Sequence, residues 1–188
     1  MHQSAVPAFT ELISQLALRT GGDAIVPPLK GKPRATMKAQ FKYKDNVGGV
    51  AWYRLTDIIR ATIKYGTLEE LYAGCKAIVK HLEDRKDCGL PLELNDRYQH
   101  AMDGGYRDLK MVAKFKGVIF ELQLNTGVML VAKETTGHRD FEVVRELQAA
   151  VKNGDLKQCD AAMEWGAFHL GTSESNGLES LLRNDSAK

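Results

Sequence analysis

Apolar residues along this chain recur at two different periods, and the places where the period changes outline its elements. Residues 4–19 carry Phe9, Leu12, Ile13, Leu16 and Ala17 at helical spacing, which predicts a short amphipathic helix. Gly21-Gly22 ends it, and Pro27-Pro28 imposes an extended link. Pro33 suits a helix start, and good helix formers follow it. Residues 54–64, RLTDIIRATIK, are rich in β-branched side chains and read as a buried strand. Residues 67–82 predict the clearest helix. Thr67 and Glu70 form a capping box, and Leu68, Leu71, Tyr72, Cys75, Ile78, Val79 and Leu82 trace one apolar stripe, with Cys75 a core residue.

Beyond that helix the period drops to two. Residues 92–100 read as a strand and 102–105 as a loop. Residues 106–115 and 118–125 form a hairpin around Lys116-Gly117. A two-residue turn sets Phe115 opposite Val118, and counting back sets Val112 opposite Glu121, Lys110 opposite Gln123 and Asp108 opposite Asn125. One face is then apolar, carrying Leu109, Met111, Ala113 and Phe115 with Val118, Phe120, Leu122 and Leu124. The other presents Asp108, Lys110, Lys114, Glu121, Gln123 and Asn125. Residues 128–151 read as mostly helical with a break near 135–137, residues 155–170 as a final helix, and the tail from Gly171 as a mobile segment. The expected fold class is α+β: a single mixed β-sheet flanked by helices.

Composition narrows the function classes. The 188 residues are 44% hydrophobic and 27% charged, which excludes a collagen, a coiled coil and a chain disordered throughout. The 26 basic and 24 acidic residues leave a formal net charge of +2, so any polyanion binding has to come from a local cluster. Cys75, Cys88 and Cys159 are scattered and form no CxxC pair, which argues against a disulfide framework or zinc knuckle and fits a reducing, cytoplasmic setting. No apolar run reaches the ~18 residues of a membrane span, and the N-terminus lacks the pattern of a secretory signal.

Four constellations carry possible chemistry. Residues 30–44, KGKPRATMKAQFKYK, hold six Lys/Arg and no acid. They make either a solvated basic face or, through Lys30, Lys32, Arg34, Lys38 and Lys42, a cradle for a polyphosphate. Asp57 stands in an otherwise apolar run and needs a counter-charge. That is either a salt bridge with Arg54 or Arg60, or a metal ion. Glu121 and Gln123 share a sheet face, where a Glu can serve as general base or, with Asp57, help hold Mg²⁺. Tyr106 follows two glycines at a strand edge, as a rim tyrosine or as a ring offered to a nucleobase.

In this order the four resemble the RelA/SpoT-type nucleotide pyrophosphokinase (alarmone synthetase) family. PPLKGKPRATMK, DIIRATI and GGYRDL are most similar to RelA/SpoT-like domains at the C-termini of polymorphic bacterial toxins. The resemblance runs from about Lys30 to Glu142. It implies a nucleotidyltransferase-like synthetase domain over 30–170, after an N-terminal helix and linker over 1–29 and before a tail over 171–188. It implies that Lys30, Lys32, Arg34, Lys38 and Lys42 hold the ATP phosphates and that Asp57 and Glu121 are catalytic and bind Mg²⁺. It assigns the acceptor to Tyr106, Arg107, Lys110, Gln123 and Asn125, with a structural role for His138. Lys32 stands where the family usually has Arg, Lys110 where it has His, and Asn125 where it has Arg. No His-Asp dipeptide of the family's hydrolase half occurs. The implied partners are ATP and a guanosine or adenosine nucleotide, with an immunity protein if the chain is a toxin, and no membrane. The alternatives are an RNA 3′ end as acceptor, or a catalytically silent nucleotide- or partner-binding domain.

Overall fold

The computed structural model describes residues 2–43, 49–102 and 105–133. The helices expected beyond 133, the tail, His138 and Cys159 lie outside the described residues. The element order is α1 (His2–Thr20), β1 (Asp23–Ile25), α2 (Lys32–Lys42), a 3-10 turn (Trp52–Arg54), β2 (Arg60–Tyr65), α3 (Leu68–Glu83), β3 (Glu93–Asp96), β4 (Leu109–Phe115), β5 (Val118–Thr126) and α4 (Gly127–Ala132). The strands form one sheet in the order β1-β2-β5-β4-β3. β2 and β5 run parallel and every other neighbouring pair is antiparallel, so the α+β mixed sheet expected from the pattern is the observed fold.

The hairpin holds the expected register, with Phe115 opposite Val118, Val112 opposite Glu121 and Lys110 opposite Gln123. Lys116 (φ 47°) and Gly117 (φ 81°) both take left-handed backbone, the conformation that lets a two-residue loop follow the twist of its strands. Alternation then separates the two faces. Leu109, Met111, Ala113, Phe120, Leu122 and Leu124 join Ala61, Ile63 and Tyr65 of β2 in the core. α1 adds Phe9, Leu12, Ile13, Leu16 and Ala17 to the same core, and Phe9 and Phe120 pack with ring centroids 5.1 Å apart.

α3 closes that face. Its capping box is complete: the Glu70 N–H donates to Thr67 Oγ1 at 3.1 Å, and the Thr67 N–H donates to Glu70 Oε2 at 3.1 Å. Its buried side is Leu71, Gly74, Cys75, Ile78 and Leu82, whereas Leu68, expected on the stripe, is exposed in the first turn. Cys75 is buried in the core, as expected, and burial pushes its thiol up. Gly74 marks the closest approach of helix to sheet, because a Cβ there would stand 2.4 Å from the Tyr65 hydroxyl oxygen. That hydroxyl is fixed by a 2.8 Å hydrogen bond with Thr20 Oγ1 at the end of α1.

Three expectations are corrected. The strand read over 54–64 begins only at Arg60, and Asp57 lies in the loop ahead of it. β-branched content signals extended backbone without showing where pairing begins. Here the first tie to β5 comes from the Glu121 N–H, which donates to the Ile59 carbonyl at 3.0 Å. The strand read over 92–100 is reduced to Glu93–Asp96, after which Asp96 Oδ1 accepts from the Tyr98 N–H at 3.0 Å and turns the chain. Asp108, placed in the hairpin strand by pattern, stands just before β4.

Gly74→Ala is expected to destabilise the protein by about 1–3 kcal/mol, because the added methyl overpacks against the fixed Tyr65 ring. The urea midpoint of the variant checks this. Gly74→Ala in a Tyr65→Phe background, which removes the nearest atom, is expected to recover part of the loss.

Candidate active site

The second face of the sheet carries the polar residues, and register arranges them in rows. Arg60 of β2, Glu121 of β5, Val112 of β4 and Glu93 of β3 lie side by side in the first row. Thr62, Gln123, Lys110 and Asn95 form the next. Glu121 is 8% exposed, so its carboxylate is withdrawn from bulk water without being sealed off. Gln123 Nε2 donates to Glu121 Oε1 at 2.9 Å and fixes one of its oxygens.

Asp57 occupies the loop that leads into the first row. The Lys30 N–H donates to the Ile58 carbonyl at 3.1 Å, which ties the start of the basic segment to this loop. The ammonium groups of Lys30 and Lys38 both reach Asp57 Oδ2, Lys38 at 2.7 Å. The counter-charges of Asp57 are therefore these lysines and not Arg54 or Arg60. Burial pushes the Asp57 carboxyl up, but the Lys38 charge and the hydrogen bonds from Lys30 and Lys38 outweigh it and hold the group at about 2. Burial, with the neighbouring Lys38 and Arg60 charges, pushes the Lys30 ammonium down against the pull of Asp57. Lys32, Arg34 and Lys42 lie exposed on α2.

The donor set of Asp57 and Glu121 fits Mg²⁺. Asp57 Oδ1 is buried and has no hydrogen-bond partner among the described residues, so one carboxylate oxygen is left for a cation. No group of three or more His, Cys, Asp or Glu placed to hold a metal occurs among the described residues. Mg²⁺ commonly takes one or two carboxylates and completes its shell with water and substrate phosphates.

Of the residues assigned to the acceptor, Tyr106 and Asn125 meet in a second network beside these rows, whereas Gln123 and Lys110 stay in the rows, bonded to Glu121 and Glu93. The Tyr106 hydroxyl accepts from Asn125 Nδ2 at 2.9 Å and donates to Asp108 Oδ2 at 3.3 Å. Arg97 Nη1 donates to Asp108 Oδ1 at 3.0 Å. The Tyr98 hydroxyl accepts from the Thr126 N–H at 3.0 Å and donates to Asn125 Oδ1 at 3.4 Å. Asp108 and Asn125 are fully buried, and Asn125 anchors Tyr106 at its hydroxyl. Burial, then the Asp108 charge, pushes the Tyr106 hydroxyl above its ordinary range, which keeps it a proton donor. Arg107 donates to the Tyr98 carbonyl, and Lys110 pairs with Glu93 at 2.8 Å.

Sequence reasoning missed Tyr43 and Tyr98. Tyr43 caps the end of α2, and the Arg54 guanidinium lies 5.4 Å from its ring centroid. Burial, then the charges of Asp57 and Glu121, push the Tyr43 hydroxyl up. Tyr98 is a partly buried core neighbour whose hydroxyl reaches the end of β5. Tyr43 sits inside the basic segment, whose lysines gave it no separate signal, Tyr98 has no motif around it, and only the folded chain brings them to the site.

The mixed five-stranded sheet with its flanking helices has the fold of the RelA/SpoT-type alarmone synthetases. The small alarmone synthetase 1 of Bacillus subtilis, solved bound to its product pppGpp, matches at a TM-score of 0.59 and 15% identity, over 99% of this chain and 94% of that one. A GTP pyrophosphokinase family protein of Streptococcus pneumoniae matches at 0.53 and 14% identity, over 93% of each chain. The type VI effector Tas1, solved with its immunity protein, matches at 0.50 and 16% identity, over 89% of this chain and 90% of that one. No family model and no curated protein sequence matches the chain. No helix among the described residues is long and apolar enough to cross a membrane.

The Asp57 cluster sets a pH dependence. Its folded pKa lies below the ordinary 3.8, so the unfolded chain takes up the proton first as pH falls. The shift contributes about 2 kcal/mol, present above about pH 5 and lost as pH falls towards about 2. Urea unfolding at a series of pH values is expected to show an acid leg in the wild type that is shallower in Asp57→Asn.

Proposed function

We propose that this chain is a nucleotide pyrophosphokinase that transfers pyrophosphate from ATP to the ribose 3′-hydroxyl of a guanosine or adenosine nucleotide. The observation that carries the reading is the convergence at the start of the β2–β5 pair. Glu121 bonds through its backbone to Ile59, while Asp57, two residues earlier, draws in Lys30 and Lys38 of the basic segment. Two carboxylates and two ammonium groups thus meet at one end of the parallel strands. The fold likeness to the alarmone synthetases supports the same reaction class.

In this reading the acceptor oxygen forms a bond to the β-phosphorus of ATP, and the bond from that phosphorus to the α,β-bridging oxygen breaks. AMP leaves with the bridging oxygen, and the hydroxyl proton passes to the Glu121 carboxylate. Gln123 orients that carboxylate through its 2.9 Å hydrogen bond. Lys30 and Lys38 turn from Asp57 towards the donor phosphates, with Lys32, Arg34 and Lys42 along the exposed helix as outer cations. Asp57 and Glu121 would hold Mg²⁺, which supplies charge neutralisation at the phosphates when bound. The anchored Tyr106 ring stacks on the acceptor base, with Arg107, Lys110, Gln123 and Asn125 as the surrounding shell. Reactions of this kind ask chiefly for positioning and charge stabilisation. The toxin reading, with an immunity protein as partner, is supported by the pattern likeness and by the fold shared with Tas1.

Purified protein with γ-labelled ATP, Mg²⁺ and, separately, GTP, GDP, ATP, ADP, AMP or bulk tRNA is expected to release AMP in step with one labelled product. Glu121→Gln and Asp57→Asn are each expected to lower that rate by about 100-fold or more. Wild-type turnover by Glu121→Gln would sink the mechanism. Nucleotide binding without AMP release would point to a silent binding domain, and label on tRNA to an RNA 3′ end as acceptor.

A further inference from the structure

Arg60 opens β2 on the chemical face of the sheet, because its strand neighbours Ala61 and Ile63 point into the core. The parallel register sets it directly beside Glu121. It also lies close enough to Lys30 for its charge to push that ammonium down. Charges near it are already paired: Lys30 and Lys38 on Asp57, and Lys110 on Glu93. Arg60 is half-buried, yet it forms no hydrogen bond, ion pair or ring contact with any described residue. A partly buried guanidinium that shares this side of the site with other cations and is bonded to no carboxylate among the described residues keeps its N–H donors available to an anion.

We propose that Arg60 is the anion ligand at the centre of this site and takes the pyrophosphate group as it passes from donor to acceptor. The inference rests on the pyrophosphokinase reading. It deepens that reading by naming which cation meets the transferred group. Beside Glu121, the fork of five N–H donors stands where the acceptor hydroxyl and the β-phosphate must meet. Lys30 and Lys38 have to leave Asp57 before they can bind phosphate, whereas Arg60 can do so without breaking an ion pair among the described residues. The planar fork suits two phosphate oxygens at once, which a lysine cannot match.

Calorimetric titration of inorganic pyrophosphate into the full chain, with thermal melts as a folding control, tests this. Arg60→Gln keeps length and polarity and is expected to bind pyrophosphate about 10- to 100-fold more weakly, the equivalent of a lost charged hydrogen bond. Arg60→Lys is expected to recover part of that affinity as a point charge. In the AMP-release assay, Arg60→Gln is expected to lower kcat by more than it raises the KM for ATP. A folded Arg60→Gln that binds pyrophosphate like the wild type would overturn the proposal, as would a wild type that binds none. Loss of pyrophosphate binding in Arg60→Gln, together with a wild type that releases no AMP with any acceptor, would uphold the anion site and remove the pyrophosphokinase reading.

Discussion

A carboxylate with 8% of its side chain exposed cannot stay ionised away from water unless cations come to it. Asp57 is such a group, and the route the chain takes around it follows from that need. The loop after the Pro27-Pro28 link bonds its backbone to Ile58, which delivers Lys30, and α2 is set so that Lys38 reaches the same oxygen. Ala35 and Ala39, one turn apart on α2, are buried and leave the longer side chains of the helix to face outwards or towards Asp57. Removing the carboxylate would leave two ammonium groups partly buried with no compensating charge, while removing one lysine would leave the other to carry the site. The ion cluster is thus a structural clasp for the basic segment.

A second constraint acts on Tyr106. The phenol is held at its oxygen by Asn125 and Asp108, and both of these are fully buried and are in turn engaged by Tyr98 and Arg97. A network in which each buried group has its partner holds one geometry, because breaking any link leaves a polar atom without solvent. Asn125 therefore has a physical role here: its amide donates to the Tyr106 oxygen and accepts from Tyr98.

Local interactions were legible in the sequence, and through-space ones were not. The Thr67–Glu70 box, the Lys116-Gly117 turn and the hairpin register are decided within a few residues, so counting positions was enough. β1 was read as part of a link because three exposed residues show no apolar alternation; it exists because Asp23, Ala24 and Ile25 pair with the edge of β2. The need of Asp57 for a cation was evident from its apolar surroundings, but the neighbours in sequence, Arg54 and Arg60, were the wrong candidates. The partners come from 27 and 19 residues away, a meeting that only the tertiary fold creates. In the same way Arg60 gained meaning only when the register set it beside Glu121.

The sheet keeps its two duties on opposite sides. α1, α3 and the inward-facing side chains of β2, β4 and β5 supply the cohesion, while the ion cluster, the carboxylate row and the tyrosine network occupy the reverse side or the loops that border it. Substitutions on the reverse side can change its charges and hydrogen bonds without opening a void in the core, and substitutions that keep the volume of the core leave the reverse side in place. A framework divided in this way lets surface chemistry diverge faster than shape. Chains that share only 15% of their residues can then still superimpose over nearly their whole length.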